Sequence, residues 1–121
     1  MRETKLWAWH MLAGIAILIL GGMHMIIMHM DGLLGWFNPH SGIAVDWENV
    51  VSRAKDIFFT ITYILLLIVT LFHGFYGLRN ILLETRWGSR ARGAINGTLW
   101  FFGIVLFVVG TYAAVAAMNI S

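Results

Sequence analysis

Residues 57–78 read IFFTITYILLLIVTLFHGFYGL, without one aspartate, glutamate, lysine or arginine. At about 1.5 Å per helical residue this stretch crosses the roughly 30 Å hydrocarbon core of a bilayer. Residues 6–28 and 98–118 on either side have the same character. The 121 residues are 60% hydrophobic and 12% charged, and a soluble fold of that size would leave far more apolar surface than it could bury. The expected architecture is all-α: an integral membrane protein of three transmembrane helices forming a single membrane domain over residues 1–121. No room remains for a water-soluble domain. The first run is longer than a signal-peptide core and is followed by His24, Met25, Ile26, Ile27 and Met28 instead of a small-residue cleavage site, so it is expected to persist as a span.

The charges orient the spans. Arg2 and Lys5 precede span one, and Arg79, Arg86, Arg90 and Arg92 follow span two, whereas only Arg53 and Lys55 lie between the first two spans. Six of the eight basic residues therefore share one side, which the positive-inside rule makes cytoplasmic. The protein is expected in the inner (cytoplasmic) membrane, with its N-terminus on the cytoplasmic side and its C-terminus outside. Trp7, Trp9, Trp87 and Trp100 fall at the same inner boundary, where amphipathic rings form a belt. The outer loop, residues 31–56, holds turn formers around Pro39. Its later half, residues 45–55, is expected to form a short interfacial helix with Trp47 and Val51 toward lipid and Glu48, Ser52 and Lys55 toward water.

Composition excludes several chemistries. Cysteine is absent, so the chain carries no disulfide, thiolate zinc site or iron–sulfur cluster of its own. A net charge of +2 with basic residues scattered among segments provides no nucleic-acid patch.

Four of the five histidines, His10, His24, His29 and His73, lie in or at the ends of spans, where an ionisable side chain is costly and has a dedicated partner. A hydrogen bond to a neighbouring helix would satisfy a lone imidazole. The surroundings of these histidines favour ligation. At 100° per residue His10, Gly14, Gly21, His24 and Met28 share one face of span one, and His73 and Gly77 repeat the His-Gly spacing on span two. Glycine admits a flat macrocycle or a second helix close to the backbone, and neutral imidazole is a standard axial ligand of haem iron. Haem b against Gly14, Gly21 and Gly77 accounts for both residue types. By helical rise His24 lies about 26 Å from the inner face, His73 about 9 Å and His10 about 5 Å. His24 and His73 cannot share an iron. The reading therefore assigns two haems, on His73 and His24, each completed by a histidine of a partner subunit; the alternative places His10 and His73 on one inner haem.

Residues 72–87, FHGFYGLRNILLETRW, resemble the second membrane helix of the cytochrome b anchors of succinate:quinone oxidoreductase and fumarate reductase, the complex II family. That family's pattern is a ligating histidine, glycine four on, a basic or polar pair next and an acid eleven on, here His73, Gly77, Arg79 with Asn80, and Glu84. Residues 9–29, WHMLAGIAILILGGMHMIIMH, are similar to the opening helix of the two-haem branch, with His24 at the outer-haem place. The resemblance implies a haem b anchor that binds a second membrane anchor subunit, an iron–sulfur subunit and a flavoprotein, and passes electrons to membrane quinone in the respiratory chain and tricarboxylic acid cycle. It implies no chemistry on the dicarboxylate by this chain. Met11 and Thr85 stand where many relatives have an arginine and a tyrosine of the quinone site, so that site is expected to depend on the partner anchor.

Arg79, nearest His73, is the expected haem-propionate partner. Trp7, Trp9, His10, Glu84 and Trp87 supply the apolar walls and few polar groups that a quinone pocket needs. Two other functions fit less of the pattern. Haem b anchors of hydrogenases usually have four or more spans, and a cofactor-free assembly subunit would rest on the small residues Gly103, Gly110, Ala114 and Ala117 of span three.

Overall fold

The computed structural model describes residues 2–29 and 43–120. Four helices follow one another: α1 (Arg2–His29), α2 (Trp47–Lys55), α3 (Ile57–Glu84) and α4 (Arg92–Ala117). Three of them, α1, α3 and α4, are long and apolar enough to cross a membrane, as the sequence predicts. They run past the predicted spans, α3 to Glu84 and α4 back to Arg92. The hydropathy reading stops where charge begins, but a helix does not, because its backbone hydrogen bonds are internal and its charged side chains reach water at the headgroups.

Helix α3 packs against both α1 and α4, while α1 and α4 do not approach each other. On the α4 side the contact uses small residues: Gly103 sits against the ring of Phe75 and Gly110 against Leu67. Only Ala13, Ile27, Ala44 and Phe59 are buried apolar residues among those described, and the flanks of all three long helices expose large apolar side chains. Those flanks face lipid or a partner.

Asp56 ends α2 and begins α3 in one residue: it adopts an extended conformation and its carboxylate accepts the Phe58 N–H at 2.8 Å. The short helix predicted at residues 45–55 is α2, with Trp47 exposed as expected. Its third face is a finding of the structure. Asn49 and Arg53, one turn apart, are turned into the protein, Arg53 with 4% of its surface exposed. Asn49 donates to the Ile43 carbonyl at 3.0 Å, and the Arg53 guanidinium donates to the Ala44 carbonyl and lies 3.8 Å from the Met28 sulfur. The turn before α2 has carbonyls to satisfy, and polar side chains on this face satisfy them. The remainder of the outer loop, with Pro39, lies outside the described residues.

Candidate functional site

Helices α1 and α3 run antiparallel, and each carries a histidine followed by glycine one turn later on the facing side. The two pairs interlock. A Cβ on Gly14 would lie 3.1 Å from Cε1 of His73, and one on Gly77 would lie 3.3 Å from Cε1 of His10. The space beside these glycines thus holds the opposing imidazole. The two rings stack, with centroids 4.0 Å apart and planes 8° from parallel. Nδ1 of His73 is 3.0 Å from the His10 carbonyl oxygen; since a carbonyl only accepts, Nδ1 carries the proton and Nε2 keeps its lone pair. A backbone acceptor holding one ring nitrogen while the other is left as a donor atom is the usual support of a ligating imidazole. Tyr76 leans over the His10 ring at 5.1 Å, and Nδ1 of His10 is buried without a hydrogen-bond partner.

The stack sets side by side the two histidines that the alternative arrangement drawn from the sequence would place on one inner haem, in van der Waals contact with no space between the rings.

His24 stands about 21 Å further along α1 by helical rise. Its ring meets the edge of Tyr63 at 5.6 Å and 85°, and its Nδ1 is buried without a partner. Gly21 beside it is open: the nearest atom to an added Cβ, at 3.9 Å, belongs to Ile17 of the same helix. The donor set here suits an axial ligand with a cradle next to it. No three His, Cys, Asp or Glu side chains gather among the described residues; an axial haem site needs only one imidazole from each side.

The other sequence-predicted residues separate. Arg79 Nε donates to Asn96 Oδ1 at 2.9 Å and its Nη1 to Asn80 Oδ1 at 3.3 Å. It lines a cleft of about 640 Å³ between α1, α3 and α4, with Tyr76, Asn96 and Trp100 among its walls. None of Trp7, Trp9, His10, Glu84 and Trp87 lines that cleft. Trp7, Trp9, Glu84 and Trp87 are exposed, and Trp9 borders a smaller hollow of about 460 Å³ on the α1–α3 groove with Leu12, Ala16 and Val69. Asn96 and Tyr76 were not singled out in the sequence. An amide at the start of an apolar span was the one available signal for Asn96, and nothing in linear order pairs it with Arg79.

Residues 2–113 match the family described as succinate dehydrogenase/fumarate reductase transmembrane subunit. A curated relative, the succinate dehydrogenase hydrophobic membrane anchor subunit of Archaeoglobus fulgidus, is 32% identical over 110 residues, which cover 91% of this chain and 86% of that one. No solved structure matches.

Proposed function

The chain belongs to the succinate dehydrogenase/fumarate reductase transmembrane subunit family, and from that premise we propose that it is the haem b-binding anchor of such a complex. It is a multi-pass protein of the inner membrane. In this reading it holds an iron–sulfur subunit and a flavoprotein at the membrane, packs with a second anchor subunit, and conveys electrons between the iron–sulfur subunit and quinone.

The observation that carries the reading is the hydrogen bond from His73 Nδ1 to the His10 carbonyl. It fixes the tautomer and leaves Nε2 as the ligand atom for an inner haem, while the buried Nδ1 of His24, without a hydrogen-bond partner, beside open Gly21 supports an outer one. Haem b supplies a one-electron relay when bound. His10 acts by position: its carbonyl and its stacked ring hold the His73 ring in place. Because Trp7, Trp9, Glu84 and Trp87 are exposed, a quinone pocket built on them takes its remaining walls from the second anchor or the iron–sulfur subunit. The departures at Met11 and Thr85 agree with that division.

The test is a pyridine haemochrome assay with redox titration of the purified complex. Two haems b per complex are expected, and His73→Ala and His24→Ala should each remove a different component of the titration. Loss of the same component by both variants would mean one shared haem. Loss of neither would make the imidazoles packing residues and end the cytochrome reading.

A further inference from the structure

The cleft between α1 and α4 has one polar end and a long apolar wall. Arg79 and Asn96 lie at the end from which α3 leaves and α4 begins, and the wall runs up α4 to Phe107, about 16 Å by helical rise. The cleft is open sideways to the bilayer because α1 and α4 do not meet.

Its polar end is cationic. The Arg79 guanidinium is half-buried and braced by two amide oxygens, Asn96 Oδ1 and Asn80 Oδ1, which orient it without neutralising it. No carboxylate of the described residues forms an ion pair with it; Glu3, the one acid on the wall, is exposed at the mouth. Two of its five N–H groups are used, so a face remains for a tetrahedral anion. Exposed Arg86, Arg90 and Arg92 lie on the adjoining loop and helix start and add to the same field.

The occupant follows from these features. No histidine lines the cleft, so it offers iron no ligand. A neutral quinone head would leave the guanidinium charge unmatched in a half-apolar setting. An amphiphile with an anionic head and a hydrocarbon chain matches both ends. We propose that the cleft binds one anionic phospholipid, its phosphate on Arg79 and an acyl chain along the wall toward Phe107. The proposal gives Arg79 to the lipid phosphate in place of the haem propionate expected from the sequence, and it does not depend on the haem ligands His73 and His24.

The test uses the assembled complex in phosphatidylcholine nanodiscs titrated with phosphatidylglycerol, with retained lipid counted by native mass spectrometry. One phosphatidylglycerol per copy of this chain is expected. Arg79→Gln should weaken retention about tenfold, the usual scale for one charge-assisted contact. Ile104→Trp, which obstructs the apolar wall without touching the guanidinium, should weaken it as well and carries the test if Arg79→Gln fails to assemble. Arg90→Gln, outside the cleft, acts only through the solvent-screened field and should change retention by less than about twofold. Wild-type retention in both cleft variants would overturn the proposal. So would equal loss in Arg90→Gln, which would indicate diffuse attraction, or retention of a quinone that phosphatidylglycerol does not displace.

Discussion

At the scale of single residues, two of the three glycines expected to admit a macrocycle, Gly14 and Gly77, admit an imidazole. Gly14 and Gly21 share a face of α1 but differ in what lies opposite. The His73 ring beside Gly14 is held by its bond to the His10 carbonyl and by stacking, so it cannot yield to a methyl group without losing one of them. Gly14→Ala should therefore cost about 1–3 kcal/mol, the range for overpacking a fitted contact, and shift the absorbance of the proposed inner haem. Gly21→Ala meets no other helix and should be neutral, or stabilising by up to about 1 kcal/mol through helix propensity. Thermal unfolding followed at the haem absorbance and by circular dichroism compares the two. Equal responses would show that the ring at Gly14 is free to move.

At the scale of elements, α2 shows how a short amphipathic helix is anchored by its polar side. The sequence divided it into a lipid face and a water face, and both assignments left Asn49 and Arg53 without a role. The structure turns them inward, onto the carbonyls of Ile43 and Ala44 and toward Met28 near the end of α1. A cation at that place also lies favourably against the C-terminal end of the α1 dipole. Arg53→Met keeps the aliphatic stem and leaves the Ala44 carbonyl without this donor. It should lower stability by about 1–3 kcal/mol, the scale of losing one buried hydrogen bond from a charged donor. Lys55→Met, at an exposed position, should stay within about 0.5 kcal/mol of the parent. Detergent-solubilised complex melted in parallel measures the difference, and an unaffected Arg53→Met would show that water serves the carbonyl equally well.

At the scale of the whole molecule, α3 is the central helix and α1 and α4 flank it, leaving open apolar flanks for lipid or a partner. Orientation follows from charge. Of the two basic residues on the other side of the membrane, Arg53 is buried in the fold, so its pull against the six at the N-terminus and the α3–α4 connection is reduced further. The connection, with exposed Ser89 and Arg90, is expected to face the cytoplasm and dock the iron–sulfur subunit. Ser89→Cys should react with a membrane-impermeant maleimide only in inverted vesicles. Labelling of intact cells would reverse the orientation and place the proposed lipid in the opposite leaflet.

The sequence alone determined the solvent, the three spans, the short helix and the family. Each rests on a one-dimensional quantity: the length of an apolar run, the period of a helix, the balance of basic residues, or the His-Gly-Arg-Glu spacing from His73 to Glu84. It also separated His24 from His73, because helical rise converts residue number into depth. Only the tertiary structure decided what each residue faces. The stacking of His10 on His73, the filling of Gly14 and Gly77 by opposing rings, the pairing of Arg79 with Asn96 and the inward turn of Arg53 all depend on the rotation of one helix about its axis relative to another. That rotation is set by side-chain packing between segments far apart in the chain, and no local period in either segment records it.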